Sequence, residues 1–191
     1  MLLKINYIKR LKYILFFTAS FIILIVVINN SARALFPLKY SDYVFRYSVE
    51  NNIDPYLVFA IIKAESSFNP KATSQRNARG LMQISDTTGN WGAESLKLLR
   101  YSANELYEPE TNIQIGCWYL GRLMKEFDDN IDLVITAYNG GSGNVSEWLK
   151  NRDYSDSGDS LEKIPFGETE RFLKKVKNYH LMYKRLYGMT V

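Results

Sequence analysis

The chain has 191 residues, of which 47% are hydrophobic and 14% aromatic, so it can build a sizeable core and is not an intrinsically disordered chain. The formal net charge of +4 arises at the N-terminus, because six basic residues precede the first acidic one, Asp42. From residue 40 onward, 18 basic residues accompany 20 acidic ones, which argues against nucleic-acid binding. A single cysteine, Cys117, and a single histidine, His180, exclude an intramolecular disulfide and a Cys/His metal site. We therefore expect no metal and no cofactor.

The first predicted element is an uncharged apolar run at residues 13–28, "YILFFTASFIILIVVI", which follows a basic flank at residues 1–12. The run is short for a membrane span, which needs roughly 20 residues. The sequence "ARA" at 32–34 offers a small-x-small cleavage site, although Arg33 lies inside it. An uncleaved membrane anchor is favoured over a cleaved signal peptide, and a buried core helix is the third alternative. Both leading interpretations place the rest of the chain outside the cytoplasm, because positive flanks stay inside.

A polar linker at residues 29–39 is expected to lead into one mostly α-helical domain at residues 40–191, without internal repeats. Ser41 can cap a first helix that runs to about Asn51. Asp54-Pro55 is a cap followed by proline at the first helical position, which predicts a second helix to about Ser67. Residues 57–62 of that helix are apolar on every side, so we expect it to be central and buried.

Further along, the "GLMQIS" stretch at 80–85 is predicted as a short extended piece. Pro109 opens a helix to about Phe127, with apolar residues three or four positions apart on one face. The residues expected on that buried face are Ile113, Cys117, Leu120, Met124 and Phe127.

Asn130 can cap the next helix, which we expect to end at Tyr138 because the glycines Gly140, Gly141 and Gly143 follow it. Asn144 is predicted to cap a short helix to Lys150, and residues 151–165 are expected to form an exposed loop. A last helix should run from about Glu168 to Tyr187, with Gly188 past its end. Its expected inward residues are Phe172, Val176, Tyr179, Tyr183 and Leu186.

Four polar stretches interrupt this helical pattern. The first is "IIKAESSFNP" at 61–70, where the carboxylate of Glu65 ends a strongly apolar run. A carboxylate in apolar surroundings is costly to ionise, so its pKa rises, which suits a general acid. The alternative is a structural role, in which Glu65 forms an ion pair with Lys63 or Arg79 at the end of the helix.

The other three stretches each have an ordinary structural explanation as well. "GLMQI" can be a core strand in which the amide of Gln83 is satisfied. "AYNGGSGN" at 137–144 can be a simple helix stop after Tyr138 and Asn139. "PFGETERF" at 165–172 places Glu168 near the positive end of a helix, where a carboxylate serves as a cap.

Taken together, the order and content of these stretches resemble the catalytic domain of bacterial lytic transglycosylases of the soluble (SLT) type, glycoside hydrolase family 23. The resemblance covers roughly residues 42–187 and implies a goose-type-lysozyme-like helical fold. The matching pieces are "ESSFNPKATS" (65–74), "GLMQI" (80–84), "YEPETNIQIGCWYLGRL" (107–123), "AYNGG" (137–141) and "IPFGETERF" (164–172).

The resemblance implies a murein lytic transglycosylase, a lyase that cleaves the β-1,4 bond between N-acetylmuramic acid and N-acetylglucosamine and forms a 1,6-anhydromuramyl end. Glu65 matches the family's single catalytic acid/base. Five further positions match residues that line the family's glycan groove: Ser74, Gln83, Tyr138, Asn139 and Glu168. The chain departs from the family's pattern at Phe172, often tyrosine, at Ser85-Asp86, where Met-Pro is common, and at Asn77, often glycine.

Three other functions stay open on the sequence: a hydrolytic muramidase on the same fold, a glycan-binding module without catalysis, and a structural helical domain of a membrane complex. The expected partners are peptidoglycan glycan strands and the membrane at the N-terminal segment. Cell-wall turnover and a role in secretion or conjugation machinery are both compatible with this assignment.

Overall fold

The computed structural model describes residues 2–188, with side chains from residue 12 onward. The chain divides into two compact units. One contains the described residues up to Pro37 together with those from Leu186, and the other is Leu38–Arg185. The division predicted from the sequence, with a linker at 29–39 and a domain from residue 40, stays a prediction.

The first unit is built around one long helix, α1 (Leu2–Leu35). Residues 29–35, which we expected to be linker, are helical. The segment Lys12–Leu35 has 24 residues with a mean hydropathy of 2.2, and its apolar side chains are exposed. By length and composition alone it can cross a membrane, a property that a signal sequence shares.

The regular elements of the second unit are all helices among its described residues, and two isolated bridges in the 73–84 loop replace strands. Its elements are α2 (Ser41–Glu50), α3 (Pro55–Glu65), α4 (Asp86–Ser95), a 3-10 helix (Ala103–Tyr107), α5 (Pro109–Glu126), α6 (Ile131–Gly140), α7 (Ser142–Lys150) and α8 (Gly167–Tyr187), of which the last two residues count with the first unit.

Helix α3 forms the centre of the core. The Asp54 side chain accepts a hydrogen bond from the Tyr56 N–H, and Pro55 is the first helical residue, as predicted. Residues 57–62 are all fully buried, which confirms the central position. The Phe59 ring stacks on that of Tyr183 from α8, with centroids 5.5 Å apart. The helix stops at Glu65 rather than Ser67.

The buried face predicted for α5 is confirmed, because all five of its expected residues are buried. Asn130 caps α6 as predicted, by accepting from two backbone N–H groups. On α8, three of the five expected inward residues are buried and the other two are half-buried: Phe172, Val176 and Tyr183, then Tyr179 and Leu186.

Several local predictions at helix ends are wrong. Ser41 does not cap α2, because Tyr40 stands at that position with a left-handed backbone (φ 62°) and makes no side-chain cap bond. Helix α6 continues to Gly140, and Gly141, with φ 87°, separates it from α7. Gly143 and Asn144 lie inside α7, where the Asn144 amide donates to the Gly140 carbonyl.

Candidate active site

A cleft of about 610 Å³ opens in the second unit, and separate segments of the chain line it. They are the end of α3, the loop between α3 and α4, the middle of α5, the end of α6 and the start of α8. The structure brings all six sequence-predicted site residues to this cleft: Glu65, Ser74, Gln83, Tyr138, Asn139 and Glu168.

The backbone around Glu65 is held by a sharp turn. Ser67 and Phe68 adopt left-handed backbone conformations with φ of 50° and 65°, so the chain cannot continue the helix. The Ser66 hydroxyl donates a hydrogen bond of 2.8 Å to the Leu81 carbonyl. Glu65 is thereby placed at the end of an apolar helix, next to the 80–84 segment.

Burial is the main influence on the Glu65 carboxyl, and it raises its pKa to about 8. The Lys175 ammonium lowers this pKa, and the Glu168 carboxylate raises it. Among the described residues, no cation lies within 4 Å of the Glu65 carboxylate. Glu65 is therefore largely protonated near pH 7 and can donate a proton.

The alternative structural role of Glu65, an ion pair with Lys63 or Arg79, is wrong. Arg79 instead pairs with Asp86, the first residue of α4. Asp86 belongs to the Ser85-Asp86 dipeptide in which the chain departs from the family's pattern, and Ser85 caps α4 by accepting from the Thr88 N–H. The departure thus has a local explanation in the loop beside the cleft.

Ser74 and Gln83 hold the loop that forms one wall of the cleft. The Ser74 hydroxyl oxygen accepts from the N–H groups of Arg76 (3.2 Å) and Ala78 (3.0 Å). Asn77 lies between them with φ 61°, a left-handed conformation that asparagine tolerates better than most residues other than glycine.

The Gln83 amide nitrogen donates to two backbone carbonyls of the same loop, those of Gly80 (2.9 Å) and Ala72 (3.2 Å). The stretch around Gln83 is therefore a turn with isolated bridges, not the extended piece or core strand considered above. The Gln83 amide is nonetheless hydrogen-bonded, as the core-strand interpretation expected.

Tyr138 and Asn139 lie at the end of α6. The Tyr138 hydroxyl donates to the Met82 carbonyl (2.8 Å), and its ring packs against Tyr119 with centroids 5.7 Å apart. Burial raises the Tyr138 pKa far above its ordinary value, so the phenol stays neutral. The Asn139 side-chain oxygen accepts from the Thr169 hydroxyl (2.8 Å). Among the described residues nothing accepts from the Asn139 NH₂ group, which lines the cleft.

Glu168 lies in the first turn of α8, exposed at the cleft rim. Glu65 and Glu168 are the two carboxylates among the described cleft-lining residues. Phe172, one turn further along α8, is buried and brings no hydroxyl to the site. Among the described residues, no cluster of three or more acidic, histidine or cysteine side chains could hold a metal.

Asn112 is fully buried beneath the cleft loop and was not predicted from the sequence. Its amide nitrogen donates to the carbonyls of Arg79 (2.9 Å) and Leu106 (2.8 Å), and its oxygen accepts from the Met82 N–H (2.7 Å). An uncharged polar residue inside the buried pattern of α5 was the available signal. Tyr119 was missed as well, although it is an aromatic residue off the predicted buried face of α5.

Among known families, the transglycosylase SLT domain matches residues 42–159 of the chain. The chain is 37% identical over 155 residues to the soluble lytic murein transglycosylase of Salmonella typhimurium, covering 80% of this chain and 24% of that protein. It is 34% identical over 176 residues to the membrane-bound lytic murein transglycosylase C of Edwardsiella ictaluri, covering 78% and 47%.

Solved structures agree. The 70 kDa soluble lytic transglycosylase of Escherichia coli superimposes with a TM-score of 0.74 at 35% identity, covering 82% of this chain and 26% of that one. An inactive Glu-to-Gln mutant of the Pseudomonas aeruginosa lytic transglycosylase gives 0.71 at 30% identity, covering 78% and 24%. These likenesses confirm the predicted fold class. This chain spans about a quarter of the length of its soluble relatives, and it belongs to the transglycosylase SLT domain family.

Proposed function

We propose that this chain is a peptidoglycan lytic transglycosylase, which cleaves the β-1,4 bond between N-acetylmuramic acid and N-acetylglucosamine and leaves a 1,6-anhydromuramyl end. The observation that carries the proposal is Glu65, a carboxyl group kept protonated by burial in a cleft of glycan size. The inactivity of the Pseudomonas aeruginosa relative in which one glutamate is replaced by glutamine supports it.

In the first step, protonated Glu65 donates its proton to the glycosidic oxygen, and the bond from that oxygen to the anomeric carbon breaks. A second carboxylate usually assists from the opposite face of the sugar. Here the remaining cleft carboxylate, Glu168, is exposed at the rim. The carbonyl oxygen of the muramic acid's own N-acetyl group can take that part by attacking the anomeric carbon.

In the second step, the Glu65 carboxylate accepts the proton of the muramic acid C6 hydroxyl. The C6 oxygen then attacks the anomeric carbon and displaces the N-acetyl oxygen, which closes the 1,6-anhydro ring. Glu65 ends the cycle protonated, and no water is consumed. The Asn139 NH₂ group is suited to hold the N-acetyl oxygen, because its own oxygen is fixed by Thr169. Tyr138, fixed by Met82, provides a rigid wall beside it.

Two of the three remaining groove residues act through the loop at the wall of the cleft. Ser74 and Gln83 hold the 72–84 segment in the shape that faces the glycan. Gln83 retains its side-chain oxygen for a sugar hydroxyl or amide proton. Glu168 contributes negative charge near Glu65, which favours the protonated form of the acid.

Mass spectrometry of peptidoglycan digested by the purified protein tests the reaction. The proposal requires muropeptides lighter by one water than the products of hydrolysis. Products with water added would instead show a muramidase, and undigested strands that bind the protein would show a glycan-binding module.

We further propose that α1 anchors the protein in the cell membrane as a single pass, with the catalytic domain outside the cytoplasm, or secreted if the segment is cleaved. The 24-residue segment Lys12–Leu35 is about 36 Å long as a helix, enough for a bilayer core of roughly 30 Å. Protease added to cells stripped of their wall should degrade residues 40–191, and protection of that part would contradict this topology. Cell-wall or secretion machinery remains the expected setting.

A further inference from the structure

Asn112, in the first turn of α5, has a fully buried amide whose nitrogen and oxygen both bond backbone groups beneath the cleft. Its nitrogen donates to the Arg79 carbonyl (2.9 Å), and its oxygen accepts from the Met82 N–H (2.7 Å). Arg79 and Ile84 exchange two backbone hydrogen bonds, of 2.9 and 3.0 Å, which close the segment between them into the 79–84 turn. Asn112 therefore holds this turn from the side that faces the core.

Gly80 shows how closely the turn lies against Asn112. Its backbone has φ 76°, and a Cβ atom there would lie 2.3 Å from the Asn112 amide nitrogen and 2.1 Å from the Leu106 carbonyl oxygen. The second N–H of the same amide donates to that Leu106 carbonyl, at 2.8 Å. Glycine is therefore required at position 80, both for the backbone conformation and for the close contact. This contact prevents the turn from moving further toward the core.

The opposite side of the turn makes two contacts with the elements that carry the cleft. The Leu81 carbonyl accepts from the hydroxyl of Ser66 (2.8 Å), the residue that follows Glu65. The Met82 carbonyl accepts from the Tyr138 hydroxyl (2.8 Å). One short turn therefore connects the end of α3, where the acid lies, with the end of α6, where the aromatic wall lies.

The Glu65 carboxyl depends on this support, because no side chain fixes it directly. Among the residues that the structure describes, none forms a hydrogen bond or an ion pair with it. The titratable groups that act on it from the neighbouring helices are Lys175 and Glu168 of α8 and Tyr138 of α6. The position of the carboxyl is therefore set by the helix that carries it and by the 79–84 turn bonded to the end of that helix.

We propose that Asn112 is a positioning residue for glycan cleavage, which fixes the distance between Glu65 and Tyr138 through the 79–84 turn. The inference rests on the proposed function for the reaction, and Asn112 itself touches no substrate because it is buried beneath the cleft. Misplacing a catalytic group by about 1 Å can cost roughly 10²-fold in rate. A neutral amide suits this role, because it supplies donors and an acceptor without a charge that would disturb the buried acid.

The test replaces Asn112 by serine, which stays neutral and polar but is too short to reach all three backbone groups. Asn112→Ser should lower kcat on purified peptidoglycan by about 10–100-fold per folded molecule, with KM little changed, because the glycan still binds but the acid is misplaced. Release of the turn should also let water approach Glu65, so the pKa of Glu65 should fall toward its ordinary value. The fall of kcat/KM at high pH should therefore move to lower pH.

Ser155→Ala is the matched control for stability. Ser155 is also buried, and its hydroxyl donates to the Ser160 carbonyl (2.6 Å) and accepts from the Gly158 N–H (3.0 Å). Its loop does not contribute to the described lining of the cleft. This variant should lower the free energy of unfolding but leave kcat and the pH profile of the folded protein unchanged. If Asn112→Ser behaves in the same way, Asn112 serves stability alone and the proposal is wrong.

Ser66→Ala tests the same turn from the side of the cleft, and it decides the question if Asn112→Ser does not fold. It removes a hydroxyl that bonds the Leu81 carbonyl and, at a longer distance, the Ile62 carbonyl. Like Asn112→Ser, it should lower both kcat and the pKa of Glu65. In the double variant the loss of kcat should be smaller than the product of the two separate losses, because both substitutions release one turn. Losses that multiply, or a Ser66→Ala protein with unchanged kcat, would overturn the proposal.

A direct measurement separates this inference from the proposed function. The Glu65 pKa is followed by NMR titration of the full-length protein in detergent, labelled at the glutamate carboxyl carbons, and the Glu65→Gln spectrum assigns the signal. A wild type that leaves peptidoglycan uncleaved would contradict the proposed function without affecting this measurement. A Glu65 pKa that falls in Asn112→Ser and Ser66→Ala, but not in Ser155→Ala, supports positioning of the acid by the turn in either case. An unchanged Glu65 pKa in the first two variants overturns it even if the wild type cleaves.

Discussion

The two ends of helix α3 carry carboxylates in opposite circumstances. Asp54, at the start, accepts from the Tyr56 N–H at 2.9 Å and is paired with His180 at 2.8 Å and Lys184 at 3.5 Å. Burial raises the Asp54 pKa, but the hydrogen bonds and the charges of its partners outweigh burial and leave it lowered. Glu65, at the end, has a pKa raised to about 8 by burial.

Helix geometry adds to this contrast, because the positive end of the dipole favours Asp54 and the negative end disfavours an ionised Glu65. The Asp54 carboxylate stabilises the fold, and the hydrogen-bond donors and cations around it stabilise its charge. Glu65 lies at the opposite end without such donors, so a catalytic role explains it better than a contribution to stability. The same acid-to-amide substitution at each end of α3 tests this difference between the two carboxylates.

The largest effect is expected on turnover by Glu65→Gln. Glutamine keeps the size of the side chain but can neither donate nor accept the catalytic proton. General acid-base assistance is worth roughly 10²–10⁴-fold, and one residue here supplies both halves, so the loss should reach at least about 10³-fold. The release of anhydro-muropeptides measures it. Asp54→Asn is the matched control and should retain turnover per folded molecule. A Glu65→Gln protein that cleaves normally would falsify the assignment of Glu65 as the acid.

The same Glu65→Gln variant should have a higher free energy of unfolding than the wild type at pH 7 and above. The folded-state pKa of Glu65 lies above its ordinary value, so the folded state binds the proton more tightly and its stability falls as pH rises from the ordinary pKa to about 8. Removing the ionisable group removes that loss, on the order of 3 kcal/mol at pH 7 as an upper bound.

Urea unfolding of the wild type and Glu65→Gln at a series of pH values measures this difference. The two curves should converge near pH 4, where both side chains are neutral. A variant that is less stable than the wild type at pH 8 would assign Glu65 to a stabilising contact and reverse the contrast between the helix ends.

A smaller effect of opposite sign is expected at the other end of α3. Asparagine remains a good helix cap, so Asp54→Asn isolates the contribution of the charge. The pair with His180 and Lys184 is partly exposed, so the variant should lose about 1 kcal/mol near pH 7. Because the Asp54 pKa is lowered by folding, its contribution is present above the ordinary pKa and disappears as pH falls through the folded value.

His180→Gln supplies the matched check for the Asp54 pair. If the Asp54–His180 interaction stabilises the fold, the double variant should lose less free energy of unfolding than the sum of the losses in the two single variants. Additive losses would show that His180 does not stabilise the Asp54 carboxylate. Lys184 and the Tyr56 N–H would then be its stabilising partners.

The sequence was sufficient to predict the start and the buried position of α3, because the cap, the proline and the apolar run are local signals, whereas its end was predicted two residues too late. It also predicted six residues that the fold brings to one cleft. It missed α4, whose Gly89 and Gly92 are poor helix formers. The structure explains these glycines by contact, because a Cβ atom at Gly89 would meet the Tyr101 hydroxyl and one at Gly92 would meet Ile115. Such contacts join residues far apart in the chain and leave no periodic pattern.

The smallest expected effect concerns Lys175, which modulates Glu65 from α8. Its ammonium donates to the Ala64 carbonyl at 2.7 Å and lowers the Glu65 pKa. Lys175→Met should therefore raise that pKa, and the fall of kcat/KM at high pH, which reports the free enzyme, should move to higher pH. The shift should be small, because Lys175 is exposed and screened, and it should shrink with added salt. Lys174→Met makes the same charge change on a lysine paired with Glu170 and should leave the profile in place. Equal shifts in both variants would indicate a general effect of net charge. A shift confined to Lys175→Met would show that the Lys175 ammonium itself lowers the Glu65 pKa.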